Sequence, residues 1–188
     1  MSADEILLAL DYGGSKLSAA ITTHGAREWL DIARAPSPQN KDAQYDQSTM
    51  LALAHKLLRG RLPSSIGVSF GGPVDAARGI VILSHHVPGW ENVPLRDQLQ
   101  KEFGAPVSVD NDANAAALGE YKFGAGQGCL SLLYVTVSTG VGGGWILDGK
   151  IFHGADSVAG EIGHTIVQTC EGAKTHARFP VCVCGRRG

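Results

Sequence analysis

Two glycine-rich stretches, each directly after an apolar run, offer the first recognisable chemistry. Asp11-Tyr12-Gly13-Gly14-Ser15-Lys16 follows Ile6–Leu10, and Ser138-Thr139-Gly140-Val141-Gly142-Gly143-Gly144 follows Leu130–Val137. Phosphate oxygens need several N–H donors close together. Glycine lets the backbone approach, and a hydroxyl and an ammonium add further donors. An acidic side chain at a strand end, here Asp11, can position magnesium or its waters. Taken alone, the first stretch reads equally well as a β-hairpin turn. The second is neither a P-loop nor a dinucleotide fingerprint, because a hairpin rather than a helix follows it. Two such loops in half-similar surroundings suggest a phosphate chain gripped between two lobes.

Three further stretches carry side chains with chemical options. Asp110-Asn111-Asp112-Ala113-Asn114 stands at a strand-to-helix junction, where α/β folds bind ligands. A carboxylate there can accept a hydroxyl proton as the oxygen attacks phosphorus, and Asn111 can both donate to and accept from a hydroxyl. Asp112 also reads as a helix N-cap, and a carboxylate has lone pairs enough for both roles. Ala159-Gly160-Glu161-Ile162-Gly163-His164 spaces charged and imidazole groups between small residues, which suits recognition of neighbouring hydroxyls. Cys182-Val183-Cys184 sits close to the last residue given. Two thiolates and a histidine supply three of the four ligands of a structural zinc site.

These residues require an α/β scaffold. Ile6–Leu10, Leu17–Thr22 and Glu28–Ala33 read as a meander of three strands. Gln47–Arg59 repeats apolar residues at helical spacing, with Ser48 or Asp46 as candidate caps and Gly60 as a stop. Ile66–Phe70, Gly79–Leu83 and Pro106–Val109 read as strands. Leu95, Leu99 and Phe103 mark a helix that ends at Gly104. Ala113–Phe123 is an Ala-rich helix. From Leu130 the pattern restarts as a strand, a glycine loop and a hairpin turning at Asp148-Gly149. The expected organisation is one α/β lobe over residues 1–118 and the beginning of a second over residues 119–188.

Bulk composition narrows the options. In 188 residues, 44% are apolar and 18% charged, enough for a packed core and unlike a disordered chain. Sixteen basic against 18 acidic residues give a formal charge of −2, with no basic excess for nucleic acid. No apolar run approaches a membrane span, and no basic n-region precedes Ile6–Leu10. The expectation is a cytoplasmic protein with no membrane or nucleic-acid partner.

Taken in order, these five stretches resemble the ROK family of the sugar kinase/actin-like ATPase superfamily, from Ile6 to Gly188. Val87-Pro88-Gly89-Trp90 through Leu95 also looks typical of its glucokinase-like members. The resemblance implies an actin-like (ribonuclease H-like) α/β lobe plus the beginning of a second such lobe. It implies transfer of the γ-phosphoryl group of ATP, with Mg2+, to a hexose hydroxyl, most often the 6-hydroxyl. Carried over by motif, Asp112 is the general base. Gly72, His85, Asn111, Glu161 and His164 belong to the sugar pocket. Asp11, Gly13, Gly14, Ser15 and Lys16 form the first phosphate loop, and Thr139 and Gly140 the second. His164, Cys182 and Cys184 match ligands of a structural Zn2+, and family members often form homodimers.

Three departures accompany the resemblance. Ser15 replaces the usual Thr and keeps the hydroxyl. The segment between His164 and Cys182, with Cys170 and His176, is longer than usual. Family members continue with another Cys, a sugar-contacting Glu and most of the adenine pocket. The expectation is thus a C-terminally truncated hexokinase with an incomplete zinc motif. Its alternatives are a non-catalytic sugar-binding module and a sugar-responsive transcriptional regulator, the latter disfavoured by the lack of a basic helix before Ile6.

Overall fold

The structure is a computed structural model that describes residues 5–38, 40–138, 140–165 and 184–185. In chain order its elements are β1 (Ile6–Tyr12), β2 (Lys16–Thr23), β3 (Asp31–Pro36), α1 (Ala43–Leu58), β4 (Ser65–Phe70), β5 (Val74–Asp75), β6 (Ile80–Val81), α2 (Leu95–Phe103), β7 (Val107–Asn111), α3 (Asp112–Phe123), β8 (Ser131–Val137), β9 (Val141–Leu147) and β10 (Lys150–Ile151), then a 3-10 turn at Ile162–His164. A five-stranded sheet has the order β3-β2-β1-β4-β7, and a second sheet has the order β10-β9-β8. β1, β2 and β3 form the expected antiparallel meander, while β1, β4 and β7 run parallel.

Alternation along the strands fixes which face is buried. Ile6, Leu8, Leu10 and Tyr12 of β1, Ile66, Val68 and Phe70 of β4, and Val107 and Val109 of β7 all point into the core. Met50, Ala54, Leu57 and Leu58 of α1 and Leu95, Leu99 and Phe103 of α2 belong to the same core. Trp90 is fully buried there. Its ring stands edge-on to Tyr12 and Phe70, with centroids 5.5 and 4.8 Å away.

The structure corrects several sequence expectations. β3 begins at Asp31 rather than Glu28, because Thr22 Oγ1 donates to Glu28 O at 2.8 Å and Leu30 N–H to Ile21 O at 2.8 Å, closing a loop over those residues. α1 starts at Ala43, and its cap is neither Ser48 nor Asp46. Asp42 accepts from Tyr45 N–H at 2.8 Å, and Asp46 is drawn into the interior. Asp112 does not cap α3. Asn111 does, and Asp112 becomes the helix's first residue. The expected lobe boundary at 118 falls inside α3, which runs unbroken to Phe123 and packs on β8 and β9.

The second glycine stretch is only partly a loop. Ser138 N–H donates to Gly140 O at 2.8 Å, and Val141 already belongs to β9. Gly142, Gly143 and Gly144 are therefore strand residues. A Cβ on Gly144 would lie 2.7 Å from Ala113 O and 2.7 Å from Ala117 Cβ. Only a residue without a side chain lets α3 approach β9 this closely.

Candidate active site

The parallel strands β1, β4 and β7 end side by side, and their register sets the site's first layer. Asp11 stands opposite Ser69, and Ser69 opposite Asp110. Ser69 Oγ donates to Asp11 Oδ1 at 3.0 Å, which holds that carboxylate at the strand ends. Two tight turns leave from here. Gly71 N–H donates to Tyr12 O at 3.0 Å, and a Cβ on Gly71 would meet Asp112 Oδ2 at 3.7 Å and Gly13 Cα at 4.0 Å. The first glycine loop, Gly71 and Asp112 therefore converge at one point.

Asn111 is anchored through both ends of its amide. Oδ1 accepts from Ala113 N–H at 2.9 Å, and Nδ2 donates to Gly72 O at 3.1 Å. With Asn111 as cap, Asp112 Oδ1 accepts from Ala113 N–H at 2.8 Å, while Oδ2 is turned toward Gly71. Asp112 is exposed to the open cleft, yet the protein around it displaces water from its carboxyl. That partial desolvation raises its pKa. The Ala113 N–H works in the opposite direction, and the Asp11 charge raises it further. A carboxylate raised in this way is a better proton acceptor than a surface Asp.

The first loop is held from below by a group the sequence reading passed over. Lys41 Nζ donates to Gly14 O at 3.0 Å and to Ser37 Oγ, and lies 3.7 Å from Asp46 Oδ1. Ser37 N–H donates to Ser15 O at 3.1 Å, and Trp90 Nε1–H to Asp46 Oδ2 at 3.3 Å. The Lys41 and Asp46 side chains are only 3% and 4% exposed, so this is a buried ion pair. Burial raises the Asp46 pKa, against the lowering effect of Lys41 and its other donors. Lys16, the ammonium expected in the loop, is exposed on β2 and does not line the cleft. A lysine preceding a capping Asp, after a Pro-rich loop, was the available signal, but only tertiary packing shows where its ammonium goes.

These groups face a cleft of about 840 Å³ between the two sheets. Gly14, Ser15 and Lys41 line one wall; Asn111, Asp112 and Asn114 line the floor. Thr136, Ser138, Gly140 and Gly143 form the opposite wall, joined by Ser157, Gly160 and Glu161. Glu161 arrives there because its segment rides directly on β9. A Cβ on Gly160 would lie 2.1 Å from Gly143 O, and one on Gly163 2.2 Å from Val141 O. The small residues around Glu161 thus serve close packing.

Other expected residues fall differently. Of the His85-His86 pair it is His86 that lines the cleft. Ser84 Oγ accepts from the N–H groups of His86 and Val87, and that turn buries Val87. Gly72 is not part of the lining but acts through Asn111, with Gly71 and Pro73 lining on either side. His164 sits in the 3-10 turn with Nε2 at 3.4 Å from Glu161 Oε2, outside the cleft lining. Thr139 and Cys182 lie outside the described residues. Among the described residues, no three His, Cys, Asp or Glu side chains converge as a metal site.

The ROK family model matches residues 7–188. The chain belongs to the ROK family. This ROK chain is 36% identical to a glucokinase from Halalkalibacterium halodurans, across 98% of this chain and 55% of that protein. A ROK family glucokinase from Streptomyces griseus, solved in complex with glucose and AMPPNP, shares the fold with a TM-score of 0.80. It is 33% identical, over 97% of this chain and 55% of that one. A xylose repressor from Caldicellulosiruptor bescii is 41% identical over 123 residues, which is 65% of this chain and 29% of that protein. The ROK chain spans about half the length of the curated relatives it matches. Its fold is the mixed α/β architecture of the actin-like ATPase ROK kinases.

Proposed function

We propose that this chain belongs to an ATP-dependent ROK sugar kinase that phosphorylates a glucose-like hexose, with Asp112 as general base. The observation that carries the reading is the single cleft on which Asp112, Asn111 and Glu161 converge with Ser15 and Ser138 from two glycine turns. Asn111 and Glu161 hold sugar hydroxyls beside Asp112. The Asp112 carboxylate accepts the proton of the attacking hydroxyl, and the hydroxyl oxygen bonds to the γ-phosphorus as the bond to ADP breaks. Gly14 and Ser15 of the first turn, with the Ser138 hydroxyl and Gly140 of the second, supply N–H and hydroxyl donors to the phosphates, so positioning supplies most of the rate. Asp11, pinned by Ser69, is the carboxylate that would order Mg2+ or its waters, whose charge neutralises the phosphates.

The relatives' names and the AMPPNP-bound structure support this reading. The donor chemistry of His164, Cys182 and Cys184 suits structural Zn2+, and metal analysis of purified protein tests it. Among the described residues no helix is long and apolar enough to cross a membrane, in keeping with a cytoplasmic enzyme. The primary test is a hexose panel with ATP, on this chain and on a form extended to the length of the relatives. ATP- and hexose-dependent ADP release that D112N abolishes is expected from the extended form. Wild-type protein that binds hexose without turnover would favour the second reading, a sugar-sensing regulator, which the xylose repressor match supports.

A further inference from the structure

Asp110 is not needed by the mechanism above, yet both oxygens of its carboxylate are engaged. Oδ1 accepts from Asn111 N–H at 2.8 Å and from Asn114 Nδ2 at 2.9 Å, and Oδ2 pairs with His153 Nε2 at 2.8 Å. The pair is mostly sheltered, with side chains 17% and 32% exposed for Asp110 and His153. Its two ends belong to different sheets. Asp110 is the penultimate residue of β7 and is followed directly by Asn111 and Asp112. His153 follows β10, and Phe152 N–H ties that segment to β9 by donating to Trp145 O at 2.8 Å. The His153 carbonyl accepts from Ala159 N–H at 3.1 Å, which closes the loop leading into Gly160 and Glu161. Asn114, 5% exposed, completes the bridge. Its Nδ2 is committed to Asp110, so its Oδ1 is turned toward Gly160, 3.7 Å from where a Cβ would stand.

We infer that His153 is a positioning residue for the sugar site: through Asp110 it holds the Glu161 segment in register with Asn111 and Asp112. This rests on the proposed sugar-binding role of the cleft. The physical reason is geometric. A polydentate sugar is bound well only if groups from both sheets stay fixed relative to one another. A misplacement of about 1 Å costs on the order of 100-fold. Around the Asp110 carboxylate, two donors from the β7–α3 junction meet one from the segment after β10, and that one, His153, is the contact that crosses between sheets. If His153 merely stabilised its own loop, its loss would disturb residues after β10 and leave the β7–α3 junction alone.

The test compares wild type with H153Q, H153N and H153L. Glutamine places an amide N–H near the Nε2 position, whereas asparagine is too short to reach Asp110. Two readouts are taken on the form extended to the length of the relatives: glucose affinity by calorimetry, and hydrogen exchange resolved by segment. H153N and H153L are expected to weaken glucose binding about tenfold or more, and H153Q to stay within about threefold of wild type. Exchange should rise at Ala113 and Asn114 as well as at residues 154–161 in H153N and H153L. Equal glucose affinity across all four proteins would overturn the inference. So would exchange changes confined to residues 152–161. If wild type binds no glucose, the sugar-site reading fails, and the exchange pattern still decides whether His153 couples the two segments. If H153L does not fold, the H153Q and H153N pair carries the comparison.

Discussion

Adding one methyl group at Gly144 should damage both stability and activity, while the same change two residues earlier should not. A Cβ on Gly144 would stand 2.7 Å from Ala113 O, 2.7 Å from Ala117 Cβ and 3.0 Å from Asn114 Cα. Carbon atoms pack at about 3.5–4.0 Å, so the shortfall is roughly 1 Å. None of these atoms can rotate away, because all are backbone or first side-chain atoms of α3. The helix must therefore move off β9. Overpacking of this kind costs about 1–3 kcal/mol, and the upper end applies where nothing can yield. Replacing a strand glycine recovers about 0.5–1 kcal/mol, leaving a net loss of about 2 kcal/mol. With a urea slope of about 1–3 kcal/mol/M, the unfolding midpoint falls by about 1 M. At Gly142 the nearest atoms are Thr136 Cγ2 at 3.5 Å and Ala113 Cβ at 3.8 Å, ordinary contact, so G142A should match or slightly exceed wild type. Because α3 begins with Asp112, G144A should also cut hexose kinase activity of the extended protein by about 100-fold. Paired urea melts decide the point. A G144A midpoint at or above wild type, or an equal drop in G142A, would refute the argument.

Other expectations follow from the same geometry. D112N should lower kcat at least 100-fold while leaving hexose affinity nearly intact, measured by coupled ADP release and calorimetry. Its stability should also show the sign of the Asp112 shift. With its carboxyl pKa raised in the folded state, the unfolded chain ionises first, so the destabilising contribution is absent in acid, grows as pH rises above the unfolded carboxyl's pKa and is complete above the folded one. The stability of D112N relative to wild type should therefore be higher at pH 7 than at pH 4. K41M leaves Asp46 buried without its cation and should cost about 3–5 kcal/mol, with much of the loss recovered in K41M/D46N; no recovery would show that the pair is not the relevant interaction. N111A removes the α3 cap and should cost about 0.5–2 kcal/mol by urea melt, together with a large loss of hexose affinity.

Much of the scaffold was readable because its signals are local. β1, α2 with its stop at Gly104, and the Asp148-Gly149 turn each follow from periodicity or turn chemistry within a few residues. The misreadings share a cause: the deciding partner is distant in sequence. Asp46 looks like a cap until Lys41 and Trp90 bury it, and Lys16 looks like the loop's ammonium until Lys41 reaches Gly14 O. Asp110, Asn111 and Asp112 are all competent caps; Asn111 is the one used, its Oδ1 accepting from Ala113 N–H while the distant Gly72 O holds its Nδ2. His153 gave no motif at all, since its meaning lies in a carboxylate on the other sheet.

The glycines of the second stretch carry the larger lesson. Their clustering suggests a loop that wraps phosphate, and Ser138–Gly140 keeps that option. Gly144 and Gly143 serve a different end. The first lets α3 seat against β9, and the second offers its carbonyl to the close approach of Gly160. α3 carries Asp112 at its start, and Gly160 precedes Glu161. The separation between the proposed base and the proposed sugar ligand is therefore set by two backbone contacts on one strand. A side chain at Gly144 shifts the base, and one at Gly160 shifts the ligand. The width of the cleft is then a property of β9, which explains why glycine stands at position 144 in a strand where propensity alone would not place it.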